Sequence, residues 1–270
     1  MGVSASVLVV LPTLGDRLDT LKLTLDSIDA QRAEVPLRIV VVAPARAQEA
    51  RALAERYGAT VVSDPKTGIS AAINAGIEAA ESESYYAWMG DDDLFRPGGL
   101  RRLVDLMESE PNVVVAYGGC DYIDPEGRVI GRSRAGRAAR WLLPWGPDLI
   151  PHPGSMIRID AMRASGLFDT SLKYAMDLDM FLRLRSRGRY LSTRESVSAF
   201  RWHPDSLTVS NRQASSAESE AVKRSHLPRA LRPLAPLWEA PVRWAAARAA
   251  VAVSARARKL ANDQEVIHAG

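Results

Sequence analysis

Apolar and polar positions along the first 120 residues predict strands and helices in turn. Val7-Leu8-Val9-Val10-Leu11 is a short, continuous apolar run rich in β-branched residues. Such a run reads as a strand buried on both faces, as in a parallel sheet. Pro12-Thr13-Leu14-Gly15-Asp16 breaks it, and Leu18, Leu21, Leu25 and Ile28 then recur at helical spacing. Leu37–Val42 predicts a second strand, and Ala47, Ala50, Leu53 and Ala54 form one helix face. Ala59–Ser63, Tyr85–Met89 and Val113–Tyr117 predict three further strands. Ile69–Ala80 and Pro97–Glu108 predict helices, the second begun by its proline. The alternating order implies a doubly wound parallel sheet with helices on both faces. Ligands in such sheets sit beyond the carboxyl ends of the strands. Segments 12–17, 43–46, 64–68 and 90–97 are therefore the places to search.

Charge changes this picture at the far end of the chain. The 270 residues carry a formal net charge of +3. Residues 221–260 alone hold nine Lys or Arg against one acid, Glu239, which leaves a slightly acidic body. Ser215–Glu220 is small and polar and reads as a linker. The expected domains are thus 1–214 and a basic extension, 215–270. Prolines at 228, 233, 236 and 241 keep helices short there, and Arg243 to Leu260 can form one helix. Its cations spread over more than half of the helix circumference, so it is not a clean amphipathic helix. Trp238 and Trp244 beside arginines suit a membrane interface. The alternative is a helix that packs on the body or forms a homodimer contact. No recognisable nucleic-acid-binding motif accompanies the charge, so nucleic acid is not an expected partner.

The single cysteine, Cys120, excludes an intrachain disulfide framework and a Cys-rich zinc site. The first residues lack the charged start and long apolar core of a signal peptide. No apolar run approaches the 18 or more residues of a spanning helix. The expected location is cytoplasmic, peripheral on the inner face of the membrane if the tail attaches there.

Two acidic clusters carry candidate chemistry. Asp91, Asp92 and Asp93 follow a predicted strand in Gly90-Asp91-Asp92-Asp93-Leu94-Phe95-Arg96-Pro97. Adjacent carboxylates raise one another's pKa unless a positive charge intervenes. Mg2+ or Mn2+ would supply it, taking carboxylate oxygens and substrate phosphates. The plain alternative is a solvated acidic loop or helix cap. The position after an apolar strand favours the metal. Asp177 and Asp179 open a second helical pattern with Phe181 and Leu184. Each suits a helix cap; a general base that takes a proton from a hydroxyl is the other option.

Four signatures then stand in one order. They are the early strand ending Pro12-Thr13; Gly68 through Asn74-Ala75-Gly76; Gly90 through Gly98; and Gly166-Leu167-Phe168-Asp169-Thr170-Ser171-Leu172 leading to Asp177-Leu178-Asp179 and Arg183-Leu184. Over about residues 5–210 this closely resembles the family-2 glycosyltransferases, with their GT-A (Rossmann-like) fold. The resemblance implies a mostly parallel sheet flanked by helices, with the basic segment as a helical C-terminal extension. It also implies a nucleotide-sugar donor, a divalent metal bridging its diphosphate, and inversion at the anomeric carbon. The acceptor would be a glycan or lipid-linked glycan of the cell envelope.

By position, Asp177 matches the family's catalytic base and Asp179 an acceptor-binding or capping neighbour. Asp91, Asp92 and Asp93 match the metal-binding motif, with Asp92 or Asp93 the direct ligand and Asp91 beside the donor ribose. Pro12, Thr13, Asn74 and Asp92 fall on the donor side. Arg201-Trp202-His203 resembles the late segment that closes over the diphosphate, which assigns Arg201 and His203 to the donor. His152, in Pro151-His152-Pro153-Gly154, falls on the acceptor side.

One departure concerns the nucleotide base. The family usually carries an acid just after the second strand, where this chain has Ala43. Base recognition then falls to backbone groups, Asp64 or Arg46. UDP is the default nucleotide, with dTDP and GDP as alternatives. The competing functions are a nucleotidyltransferase and a non-catalytic nucleotide-sugar-binding protein of the same fold. Pro12-Thr13-Leu14-Gly15 supplies neither a phosphate loop nor an immediate acid for the former.

Overall fold

Strand β1 (Val7–Pro12) is buried along its whole length. Its alternating side chains feed two separate cores, as the period of two in a strand requires. Val7, Val9 and Leu11 pack on one face with Leu21, Leu25 and Ile28 of α1 (Leu18–Asp29), Ala50, Leu53 and Ala54 of α2 (Gln48–Arg56) and Leu100, Leu103 and Met107 of α4 (Gly99–Glu108). Leu8 and Val10 pack on the other with Ile73 and Ile77 of α3 (Ile69–Glu78) and Leu178 and Phe181 of α7 (Met176–Leu184). At about 1.5–3 kcal/mol for each fully buried aliphatic side chain, these two faces dominate the stability of the domain. The fold described is a computed structural model covering residues 6–133, 136–202 and 211–248, with Val251, Ala255 and Arg256.

The parallel half of the sheet is as the pattern predicts. Strands β3 (Thr60–Ser63), β2 (Leu37–Ala43), β1 and β4 (Tyr85–Trp88) lie side by side, all parallel. The other half holds the antiparallel pairs that make the sheet mostly rather than wholly parallel. Strand β8 (Ser155–Arg158) slots antiparallel between β4 and β6 (Val113–Ile123). Its buried Met156 and Ile157 serve the two cores from opposite faces. Strand β9 (Arg189–Arg201) then runs parallel to β6, and β5 (Leu94–Phe95) and β7 (Val129–Ser133) pair antiparallel at the far edge. Two short helices, α5 (Ala139–Leu142) and α6 (Ile159–Ala164), flank β8 in sequence.

Helix α4 begins at Gly99, two residues past the expected Pro97. Gly98 takes a left-handed φ of 68°, which turns the chain before the helix can start.

The extension is helical, but not where the sequence placed its linker. Helix α8 (Arg212–His226) runs through residues 215–220, so the boundary expected at 214/215 falls inside it. A 3-10 turn (Arg229–Leu234) leads into α9, residues 236–248. Helix α9 runs on through Pro241, where the prolines were expected to keep helices short. Proline here removes one hydrogen bond, to the carbonyl of Leu237. Leu237 and Pro241 both face solvent, so water can satisfy that carbonyl. Arg224 pairs with Glu239 and Arg243 with Glu220, tying α9 to α8. Among the described residues no helix is long and apolar enough to cross a membrane.

Candidate active site

The parallel strands β1, β2, β3 and β4 end at one edge, so the segments after them meet there. Thr13, just past β1, donates from Oγ1 to Asp91 Oδ2 at 2.6 Å and receives the Gly15 N–H at 3.0 Å. Arg17 donates from Nη2 to Asp91 Oδ1 at 2.5 Å, and from Nη1 to Asp92. Pro12 is buried and pairs with Val42. After β3, Asp64 Oδ1 caps its own turn by accepting the Lys66 N–H at 2.8 Å. The Asp64 N–H reaches the Ala43 carbonyl at 3.2 Å, which places it where the usual acid is missing.

The three acids after β4 differ in environment. Asp93 is 1% exposed. Its Oδ1 accepts the Arg201 N–H at 3.0 Å, and its carbonyl accepts Thr24 Oγ1 at 2.8 Å. Burial, with the charge of Asp92 added, pushes the Asp93 carboxyl well above the usual carboxylate range. Burial also raises Asp91, against the opposing pull of Thr13 and Arg17. Asp92 is the more accessible of the pair that Arg17 binds.

The donor set suits a hard divalent cation, on the evidence of what already occupies it. Asp91 and Asp92 converge on one positive charge, the Arg17 guanidinium. The missing side chain of Gly90 leaves a recess bordered by Asp93 Oδ2 and Asp92 Oδ1, at 2.8 and 3.3 Å from where a Cβ would lie. All-oxygen ligands beside a recess are what Mg2+ and Mn2+ take, with phosphate oxygens completing the shell. The three acids do not form a closed cage. Among the described residues no group of three or more Asp, Glu, His or Cys is arranged to hold an ion. Asp93 is the most deeply buried of the three and is anchored by the Arg201 N–H, while Asp91 and Asp92 share the Arg17 guanidinium.

Other expected donor residues prove to be fasteners. Asn74 on α3 spends its amide on the backbone of Phe168, donating to its carbonyl at 2.8 Å and accepting its N–H at 3.0 Å. Arg201 is buried, and its guanidinium donates to the carbonyls of Asp92, Asp124 and Pro125 at 3.0, 3.0 and 2.5 Å. Both side chains hold neighbouring loops together. His203 lies outside the described residues.

The second acidic cluster stands at the start of α7. Asp177 is partly exposed, and its Oδ1 accepts the Leu178 N–H at 2.8 Å. Desolvation by its surroundings pushes its carboxyl up to about 6, and the nearby Glu218 adds to the rise. Asp179 is different. Arg183 binds its Oδ2 at 2.7–2.8 Å, and His226 of α8 meets its Oδ1 at 2.9 Å. Burial alone would raise the Asp179 carboxyl, but these partners outweigh it and leave it lowered. Asp179 therefore clasps α7 to α8.

An aromatic wall runs from Trp88 at the end of β4 to Phe181 on α7. His152 stacks on Trp88 at 4.5 Å between ring centroids and 11° between planes, and touches Tyr86, Phe168 and Phe181. Its Nε2 lies 3.3 Å from the Tyr86 hydroxyl. Burial pushes its pKa down to about 3, so the ring is neutral at physiological pH. His152, expected on the acceptor side, is part of this wall. Trp88 ends β4 two residues before Gly90, and Phe181 sits on α7 four residues after Asp177.

Three site residues had no place in the sequence reading. Arg17 lay in a flagged post-strand segment, and a lone cation there was its only signal. Asp148, after Gly146-Pro147, is solvent-exposed, yet crowding by its surroundings and the nearby Asp177 charge push its carboxyl up. Glu218, in the supposed linker, accepts the N–H groups of Lys173, Tyr174 and Ala175. Nothing local in the sequence marks either acid.

Comparison with known proteins gives the chain's family and fold. Residues 8–166 match the model of glycosyl transferase family 2. An uncharacterized glycosyltransferase of Rickettsia typhi is 27% identical over 175 residues, covering 60% of this chain and 55% of the relative. The chain thus spans about half the length of that curated relative. S. aureus TarS (residues 1–349), solved with UDP-GlcNAc, superposes with a TM-score of 0.64 at 14% identity, covering 84% of this chain and 69% of TarS. The mannosyltransferase PcManGT of Pyrobaculum calidifontis, solved with GDP-Man and Mn2+, gives 0.60 at 19% identity, covering 96% and 79%. At these identities the likeness establishes the GT-A fold.

Proposed function

Because the chain belongs to glycosyl transferase family 2, we propose that it moves a sugar from a nucleoside-diphosphate donor to a hydroxyl of a glycan or lipid-linked glycan. The transfer is a single inverting displacement with Asp177 as general base. The observation that carries this reading is the Asp177 carboxyl, pushed up to about 6 at the start of α7 and close enough to act on the Tyr86 phenol of the aromatic wall. A base of that strength is largely ionised at pH 7 yet holds a proton better than an ordinary carboxylate.

The chain's residues divide the work. The Leu178 N–H holds Asp177 Oδ1, leaving Oδ2 to take the proton of the acceptor hydroxyl. The acceptor oxygen attacks the anomeric carbon as the bond to the diphosphate breaks, and the nucleoside diphosphate departs from the opposite face. That face is the strand edge carrying Thr13, Arg17, Asp91 and Asp92. A bound Mg2+ or Mn2+ on Asp91 and Asp92 would offset the charge growing on the leaving diphosphate. The aromatic wall excludes water from behind the reacting centre, which limits loss of donor to hydrolysis. Base recognition rests on backbone groups at the ends of β2 and β3 and on Asp64, with UDP the first choice and GDP or dTDP next.

The extension adds a docking function. Leu237 and Trp244, 74% and 64% exposed, share one stripe of α9 with Arg248, whose guanidinium lies over the Trp244 ring. An indole beside exposed arginines suits the interface of an anionic membrane, where a lipid-linked acceptor would be met.

Calorimetry with UDP, dTDP and GDP, each with and without Mn2+, tests the donor half of this reading. Binding of one nucleotide that strengthens with Mn2+ is expected. Failure of all three to bind would overturn the assignment.

A further inference from the structure

Helix α7 starts without a cap of its own. Its N-cap position is Ala175, whose side chain cannot accept a hydrogen bond. The backbone N–H groups just before the helix would be left open at the point where Asp177 must be held still. The missing acceptor comes from another element. Glu218 of α8 accepts the N–H groups of Tyr174 and Ala175 on Oε1 at 2.6 and 2.7 Å, and that of Lys173 on both oxygens at 3.1 Å. Three N–H groups on one carboxylate make a charge-assisted cradle, stronger than neutral pairs.

The rest of α8 keeps Glu218 in place. Residues 218, 222 and 226 fall on one helical stripe. Val222 is buried in the core shared with α7, and His226 meets Asp179 Oδ1 at 2.9 Å. Helix α8 thus grips α7 at its start and again one half-turn beyond Asp177.

We propose that Glu218 is a positioning residue for the base: from the C-terminal extension it fixes the start of α7 and so aims the Asp177 carboxylate. This rests on the reading of Asp177 as base, and it makes the extension part of the active site. Charge acts in the same direction. Glu218 adds to the rise of Asp177 that desolvation begins. The other groups facing Asp177 are Asp148, itself countered by Lys223 of α8, and the Tyr86 phenol of β4. Asp179 is held by Arg183 and His226.

The test uses full-length protein with selectively labelled aspartate. The Asp177 carboxyl resonance, assigned by its loss in Asp177→Asn, is titrated in the parent and in Glu218→Gln. Amide exchange at Tyr174 and Ala175 is followed in both and in Glu218→Ala. Glutamine keeps one acceptor oxygen but removes the charge. The Asp177 midpoint should fall by about half a pH unit in Glu218→Gln. Exchange should quicken roughly tenfold or more in Glu218→Ala and by less in Glu218→Gln. Should Glu218→Ala fail to fold, Glu218→Gln carries the test alone. An unmoved midpoint with unchanged exchange in Glu218→Gln overturns the proposal. Nucleotide release by Asp177→Asn at the parent rate would instead sink the base assignment, which separates the two failures.

Discussion

Arg17 reaches from the loop after β1 to Asp91, donating from Nη2 to Oδ1 at 2.5 Å, with its other amino group on Asp92. A monovalent cation therefore stands where a divalent one would bind. Any metal must displace a guanidinium that is 47% exposed, and so mobile enough to yield. Arg17→Gln should bind Mn2+ more tightly in the absence of nucleotide, by roughly tenfold or about 1.4 kcal/mol. The same variant should bind nucleoside diphosphate more weakly, because a displaced Arg17 is left beside the diphosphate. Manganese titration by electron paramagnetic resonance, with and without UDP, reads both effects. Equal Mn2+ affinity in the two proteins would mean that Arg17 does not occupy the metal's place.

The raised Asp177 carboxyl links activity to stability. On the acid side, turnover should climb through about pH 6 as the base ionises. Asp177→Asn should lose about 100-fold or more in rate. The folded protein holds this proton more tightly than the unfolded chain, so ionised Asp177 costs stability. The cost is absent below the unfolded value of 3.8, builds between 3.8 and about 6, and is complete above. Asp177→Asn should therefore melt higher than the parent at pH 7.5, with the difference vanishing near pH 4. Thermal melts at the two pH values check this. A variant less stable at pH 7.5 would contradict it.

Much of the catalytic half of the fold is legible in the sequence, because its strands are buried on both faces and their apolar runs are continuous. Val7–Leu11 and Leu37–Val42 announce themselves, and the loops after them are then ligand-facing by topology. Strand β8 is four residues long and takes its neighbours from both halves of the sheet, so no local pattern reveals its antiparallel place. The acids were visible as acids, but their roles were not. Asp91 and Asp93 are both buried and differ in their partners, Thr13 and Arg17 for the one and the N–H of Arg201, 108 residues away, for the other. Asp177 and Asp179 are one turn-step apart, yet only Asp179 meets His226. Glu218 sits among Ser, Ala and Glu, where a linker and a solvent-facing helix look alike.

The clasp at Asp179 predicts a loss of stability without a loss of donor affinity. Both of its oxygens are engaged by Arg183 and His226, so Asp179→Ala leaves a half-buried arginine short of its partner. The expected cost is about 1–3 kcal/mol. The lowered Asp179 carboxyl places this stabilisation above the unfolded carboxylate range, and it is lost as the pH falls through the folded value. The gap between parent and Asp179→Ala should therefore close on acidification. Denaturant melts at pH 7 and pH 3, beside calorimetry with the nucleotide, measure it. An unchanged midpoint with weakened substrate binding would return Asp179 to the acceptor site.

The stripe on α9 makes the last prediction. Beyond Val242 the described helix buries none of its residues against the body. Leu237, Trp244 and Arg248 line its outer side, and Arg243 is held by Glu220 at its base. An indole inserted at the headgroup level, with each nearby arginine adding about 1 kcal/mol on an anionic surface, gives weak, salt-sensitive attachment. The protein should sediment with phosphatidylglycerol vesicles and not with phosphatidylcholine vesicles. Leu237→Ser combined with Trp244→Ser should reduce that binding at least roughly tenfold, since apolar insertion and charge are both needed for firm attachment. Raising the salt should release the parent as well. If the parent ignores both vesicles, and ultracentrifugation finds a dimer that the double variant dissolves, the stripe belongs to a second copy of the chain.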